Sequence, residues 1–249
     1  MAAPTLIVVP ARRASSRLPE KLLLAESGKP LLAYTLEACL RAKLADRVVA
    51  AVDDQALFDI AVAAGAEAVL TDPGLPSGTD RMWAAAQQHP DAEFLVNVQG
   101  DEVEIDPEAI DAVCQALADG CPAVTLSAPL AADAVADPAA VKVVRALSGN
   151  ALYFSRAAIP YTRTEGVVAP RLHLGVYGFR RSVLEQFASW EPTPLERAEG
   201  LEQMRLLEHG ISLRVLEWPH AFAGIDTRKD YDAFLARRQS PDAPRRPLT

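Results

Sequence analysis

Cysteine is almost missing from this chain. Cys39, Cys114 and Cys121 are the whole complement of 249 residues, and no CxxC pair occurs. An odd, sparse set argues against a disulfide framework or a thiolate metal site; Cys39 and Cys114 fall among apolar neighbours and read as reduced thiols. Long hydrophobic runs are missing too. No stretch approaches the ~20 apolar residues that a membrane span needs. Leu6 to Val9 is too short for the core of a secretion signal, and Arg12 and Arg13 follow where a small-residue cleavage site would stand. The expected location is the cytoplasm. Neither GxGxxG nor GxxxxGK[ST] is present, which weakens dinucleotide dehydrogenase and P-loop ATPase readings. Bases are outnumbered, 25 against 33 acids, for a formal charge of -8. An acidic surface disfavours non-specific binding to nucleic acid or to anionic membranes. No internal repeat or low-complexity segment is found.

What is present is alternation. Leu6 to Val9, Val48 to Val52, Ala68 to Leu70, Phe94 to Val98 and Val124 to Leu126 are short apolar runs that read as buried strands. Between them lie helix-period segments at 30–44, 54–64, 80–88 and 107–117, with Thr79 and Asp106 as expected caps and Gly65 as a stop. Such alternation predicts an α/β fold with a mostly parallel sheet and helices on both faces. After about residue 128 the pattern changes: 141–145, 151–155 and 172–179 read as strands without regular helices between them, an inserted and partly antiparallel region. A helix at 194–208, a strand at 213–217 and a helix at 228–238 follow. The tail from Ser240, with three prolines, reads as disordered. Residues 1–239 are thus expected to form one domain: a nucleotide half to about 128, the inserted region to about 215, then a return to the main sheet.

Two segments carry chemistry. In an open α/β sheet, ligands bind beyond the carboxyl ends of the strands. The first such loop is basic: residues 1–30 hold five bases and two acids, a local charge of +3. Arginine forks and lysine point charges suit a polyphosphate. Pro19 limits the loop's freedom and holds Arg17 and Lys21 near one another. A solvated surface loop is the plain alternative. The second segment, Gln99-Gly100-Asp101-Glu102, ends the fourth strand, and residues 99–108 hold five acids and no base. Asp101 is the first choice for a Mg²⁺ ligand, because hard cations take one or two carboxylates plus substrate phosphates. Asp106 and Glu108 suit helix capping better. Asp226 is a second metal candidate, although capping the last helix is its commoner role, one that Thr227 is able to take over.

These stretches resemble the 3-deoxy-manno-octulosonate cytidylyltransferase (CMP-KDO synthetase) family. The resemblance runs from about Leu6 to Phe234, on Val9-Pro10-Ala11-Arg12, Ser16-Arg17-Leu18-Pro19 with Lys21, Ser77-Gly78-Thr79-Asp80-Arg81, Asn97-Val98-Gln99-Gly100-Asp101-Glu102, Ala151 to Arg156, His173 to Gly178, Leu201-Glu202-Gln203 and Gly224-Ile225-Asp226-Thr227. It implies a Rossmann-like nucleotidyltransferase whose inserted region serves dimerisation and substrate binding. It implies Mg²⁺-dependent transfer of CMP from CTP to the anomeric hydroxyl of the sugar acid KDO, with pyrophosphate released, for lipopolysaccharide synthesis by a homodimer. Arg12, Lys21 and Asp101 would be catalytic. Pro10, Ala11, Arg17, Ser77, Gly78, Thr79 and Arg81 would join them around the nucleotide. Asp101 and Asp226 would carry the metal. Gln99, Arg156, His173, Tyr177, Glu202 and Gln203 would line the sugar-acid pocket. A related cytidylyltransferase for an 8-amino or sialic-acid-like sugar, and a catalytically silent sugar-nucleotide-binding protein, stay open. The chain departs from the family pattern at Glu20, where glycine is usual, at Val103 with Glu104 after Gly-Asp-Glu, at Arg228-Lys229 and in a short segment between Ile159 and His173.

Overall fold

A computed structural model describes residues 3–164 and 166–239; the tail read as disordered lies outside them. Nine strands and eight α-helices follow in chain order among the described residues: β1 (Thr5–Ala11), α1 (Leu31–Leu40), β2 (Arg47–Val52), α2 (Gln55–Ala63), β3 (Glu67–Leu70), α3 (Gly78–Ala86), β4 (Phe94–Asn97), α4 (Pro107–Ala118), β5 (Ala123–Pro129), β6 (Lys142–Arg145), β7 (Ala151–Ser155), β8 (Arg171–Arg180), α5 (Arg181–Ser189), α6 (Pro194–Glu199), α7 (Met204–Glu208), β9 (Leu213–Glu217) and α8 (Arg228–Gln239). The main sheet runs β3-β2-β1-β4-β8-β5-β9, with β6 and β7 on a side branch. Pairing is parallel between β1 and its neighbours β2 and β4, and between β2 and β3. The inserted β8 is antiparallel to both β4 and β5, and β9 returns parallel to β5.

Successive side chains of a strand point to opposite faces, so each buried strand feeds two cores. Ile7 and Val9 face α1, α2 and α4 through Leu32, Leu36, Leu57, Ile110 and Val113. Leu6, Val8 and Leu95 face α3, α5 and the α6–α7 pair through Met82, Leu184, Phe187 and Leu206. A third cluster, Leu18, Leu31, Tyr34, Val103, Ile225, Tyr231 and Phe234, clamps α8 across the loop after β1. Cys39 and Cys114 are buried free thiols, and Cys121 is a partly buried one.

Four local expectations need correction. Helix α3 is capped by Ser77, whose Oγ accepts the Asp80 N–H at 3.1 Å, and not by Thr79. Asp106 stands at the start of α4 but makes no side-chain cap; its Oδ2 accepts from Trp218 Nε1 at 3.1 Å and meets His220 Nε2 at 2.6 Å. The expected helix at 194–208 is two short helices, because Gly200 adopts φ 63°, a left-handed conformation that ends α6. Helix α5 follows β8 without an intervening loop and was not expected. Among the described residues no helix is long and apolar enough to cross a membrane.

Candidate active site

Residue Val8 of β1 is in register with Asn97 of β4, so the loops leaving these two strands emerge side by side. Gly100 makes their approach possible: its N–H donates to Pro10 O at 3.3 Å, and a Cβ there would stand 3.2 Å from that same oxygen. Thr35 Oγ1 donates to Gly100 O at 2.9 Å and fixes the turn from below. The N–H of Ile225 donates to Asp101 O at 3.1 Å, which draws the approach to α8 into the same corner.

Four charges therefore converge. Lys21 Nζ donates to Asp101 Oδ2, to Asp226 Oδ1 at 3.0 Å and to Ile225 O at 2.9 Å. Arg17 reaches the other oxygen of Asp226 at 2.8 Å. Asp226 does not cap α8; Thr227 does, its Oγ1 accepting the Asp230 N–H at 3.3 Å while Asp230 Oδ2 accepts the N–H groups of Thr227 and Asp226 at 2.7 and 3.2 Å. The carboxylate of Asp226 is thereby left to the cluster. Beside it, Glu102 has an Oε2 that is shut off from solvent and has no hydrogen-bond partner. Its burial, together with the charges of Asp101 and Asp226, pushes its carboxyl up to about 8. Among the described residues no group of three or more His, Cys, Asp or Glu side chains is gathered as a metal cluster. A pair of carboxylates, completed by phosphate oxygens and water, suits a hard cation such as Mg²⁺.

Three adjoining cavities open here, and Gln99 lines all of them. The first, about 250 Å³, is walled by Pro10, Ala11, Arg12, Arg17, Lys21, Asp101 and Asp226. The second, about 210 Å³, lies between Pro10, Arg12, Ser77, Gly78, Arg81 and Glu202. Arg12 is exposed and forms no hydrogen bond or ion pair among the described residues, whereas its neighbour Arg13 is held by Glu20 and Asp54. Arg81 is buried, bonded to Thr71 Oγ1 and 3.8 Å from Asp53. The third cavity, about 230 Å³, is bounded by Thr79, Asn97, Tyr177, Phe179, Phe187, Leu206, Glu202 and Gln203. Thr79 Oγ1 donates to Glu202 Oε2 at 2.7 Å.

Two sequence candidates are not on these walls. Arg156 points its guanidinium at the backbone oxygens of Glu199 (2.8 Å) and Pro138 (3.0 Å). His173 sits behind Tyr177, against Phe154, with Nε2 3.0 Å from Thr125 Oγ1. Burial lowers its imidazolium to about 3, so the ring is neutral near pH 7. Asn97, which the sequence reading left within a matching stretch without a role, is on the wall.

The departures from the family pattern cluster elsewhere. Glu20 has φ 51°, the only positive φ outside glycine among the described residues, which is why glycine suits this place. Val103 packs in the α8 cluster. Glu104 grips Arg237 with both oxygens, at 3.1 and 2.8 Å. Arg228 grips Glu26 likewise, at 2.6 and 2.8 Å. Val103, Glu104 and Arg228 thus fasten α8, the helix that follows Asp226.

Cations and carboxylates meeting over one cavity, at the carboxyl end of a parallel sheet, define a nucleotide-handling enzyme of the nucleotidyltransferase class. Comparison with known proteins sharpens this. Residues 6–214 match the cytidylyltransferase family model. The chain is 44% identical over 232 residues to the 3-deoxy-manno-octulosonate cytidylyltransferase of Anaeromyxobacter dehalogenans, spanning 92% of this chain and 96% of that one. It is 42% identical over 228 residues to the protein of the same name from Acidobacterium capsulatum, spanning 91% and 93%. A solved CMP:2-keto-3-deoxy-manno-octonic acid synthetase, complexed with CTP, superposes with a TM-score of 0.91 at 35% identity, covering 96% of this chain and 99% of that one. The chain belongs to the 3-deoxy-manno-octulosonate cytidylyltransferase family.

Proposed function

We propose that this chain transfers CMP from CTP to the anomeric hydroxyl of 3-deoxy-manno-octulosonate, in the cytoplasm and for lipopolysaccharide synthesis, with Mg²⁺ as its cofactor. The hydroxyl oxygen forms a bond to the α-phosphorus, the bond to the bridging oxygen of the β-phosphate breaks, pyrophosphate leaves, and the hydroxyl proton passes to solvent. The observation that carries this reading is the convergence of Arg17, Lys21, Asp101 and Asp226 on one cavity, next to a second lined by Thr79, Gln99, Tyr177, Glu202 and Gln203.

Arg12 and Arg17 bind the triphosphate, and Lys21 supplies a positive charge where the phosphoryl oxygens gain negative charge. Ser77, Gly78 and Arg81 line the place of the base and ribose. Asp101 and Asp226 hold Mg²⁺, and the buried, unpartnered Glu102 oxygen supports a cation in this corner. When bound, Mg²⁺ lowers the pKa of an attached hydroxyl and neutralises phosphate charge. No covalent enzyme intermediate is required. His173, neutral and behind the wall, serves the pocket's shape and is not a base.

A homodimer fits the same reading. Leu147, Leu152, Tyr161, Val167 and Val168 are all exposed, on the β6–β7 hairpin and the loop that follows it. Exposed apolar side chains gathered on one segment of chain suit a protein contact. Pyrophosphate release with CTP and Mg²⁺ should be fastest with 3-deoxy-manno-octulosonate in a panel that includes its 8-amino analogue and a sialic acid. Release with none of them would remove the assignment.

A further inference from the structure

Asp53 follows the last residue of β2, and the pairing of Ala11 with Val52 places it beside Arg12 at the end of β1. Its neighbour Asp54 has a local task, the cap of α2, where its Oδ1 accepts the Ala56 N–H at 2.8 Å. Asp53 serves two other partners. Its Oδ1 accepts the N–H of Arg13 at 2.8 Å, the only hydrogen bond that the main chain makes from Arg13 to Arg17 among the described residues. Its Oδ2 stands 3.8 Å from the guanidinium of Arg81, a side chain only 4% exposed. Arg81 needs that charge. It lines the second cavity together with Arg12. Burial, with the like charge of Arg12, holds its guanidinium below the ordinary arginine value, against the pull of Asp53 and Asp72. A buried charge without a counter-charge is costly, and Asp53 is the only carboxylate within ion-pair range of Arg81 among the described residues.

We propose that Asp53 is a positioning residue for CTP: one carboxylate anchors the phosphate loop at Arg13 N–H and holds Arg81 in the cavity of the base and ribose, so that both ends of the nucleotide meet a preset site. This rests on the reading of these cavities as the CTP site. The side chain of Arg13 is not part of the arrangement. It pairs with Glu20 and Asp54 where the three side chains are 25–54% exposed, and such pairs contribute little. The main-chain anchor next to Arg12 matters more, because a misplacement of about 1 Å at a binding group costs on the order of a hundredfold.

The test compares Asp53→Asn and Asp53→Ala with Asp54→Asn, which keeps the cap of α2 because asparagine caps as well as aspartate does. Asparagine at 53 keeps an acceptor for Arg13 N–H and loses the charge, and alanine loses both. CTP binding in the presence of Mg²⁺ is measured by calorimetry, and the KM values for CTP and for 3-deoxy-manno-octulosonate by pyrophosphate release. Expected are a Kd and a KM for CTP raised at least about tenfold in Asp53→Asn and further in Asp53→Ala, with the KM for the sugar within about twofold of wild type. Asp54→Asn should keep all three values within about twofold. A merely structural role predicts a lower Tm with the CTP Kd of the folded protein unchanged, and that result overturns the proposal. An equal rise of the CTP Kd in Asp54→Asn, or a sugar KM that rises as much as the KM for CTP, overturns it too. If Asp53→Ala does not fold, Asp53→Asn decides. Failure of wild type to turn over the sugar overturns the function reading alone, since the CTP titration still decides this inference; failure of wild type to bind CTP overturns both.

Discussion

At the ends of β1 and β4, Lys21, Arg17, Asp101 and Asp226 hold one another in a closed set of ion pairs. Across Gln99, in the cavity under β8, Asn97 and Gln203 are buried with polar atoms that nothing holds. The two regions meet the cost of polarity in opposite ways. Charges separated in a partly buried corner would be expensive, so the ligand-free protein pairs them. Neutral amides cost less to leave unpaired than charges do. A ligand at the first region has to exchange partners with these ion pairs.

The largest effect should follow from breaking the charged corner. Asp101→Asn should lower pyrophosphate release by at least about a thousandfold, while the fold survives because Lys21 keeps Asp226 and Ile225 O. Steady-state assays and thermal melting check both halves. Next comes the frame of the cavity under β8. Arg205 is buried, bonded to Glu196 Oε2 and Oε1 at 2.7 and 2.5 Å, and packs over the Phe187 ring. Arg205→Met leaves Glu196 as an unpaired buried charge and should cost about 3 kcal/mol in denaturant unfolding.

A pH series separates the regions again. Glu102 has its carboxyl raised to about 8 in the folded chain, above the ordinary 4.5. Between those values the folded chain keeps a proton that the unfolded chain has lost, so stability falls as pH rises through that window. Glu102→Gln should remove this part of the slope in urea melts. A slope unchanged by the substitution would deny the crowding of carboxylates in the corner. The smallest effect concerns Glu20. Its left-handed backbone makes Glu20→Gly nearly neutral in stability, because relief of strain offsets the lost exposed pair with Arg13, whereas Glu20→Val should cost about 1–2 kcal/mol.

The sequence made the frame of the charged corner legible. Continuous apolar runs announced the parallel strands, and a basic loop and an acidic turn at two strand ends announced the phosphate chemistry. The convergence of Asp226 was harder to see: an aspartate before a helix reads as its cap, and only the cap that Thr227 and Asp230 form between them shows the other role. Helix α5 was hidden because Arg181 continues directly from the apolar strand β8, with no capping side chain at Arg180. The break at Gly200 was hidden because a single glycine does not end a strong helical pattern by itself. Asn97 was hidden for a different reason. An asparagine at a strand end looks like a turn residue, and that its amide is buried without a partner is a property of the packed cavity and not of any local spacing.

Titration of CTP, with and without Mg²⁺, against wild type and the Asp101→Asn, Asp226→Asn double variant tests the convergence of cations and carboxylates most directly. Mg²⁺ should tighten CTP binding to wild type by at least about tenfold and leave the double variant's affinity unchanged. Equal tightening in both proteins would contradict a metal site built from these two carboxylates.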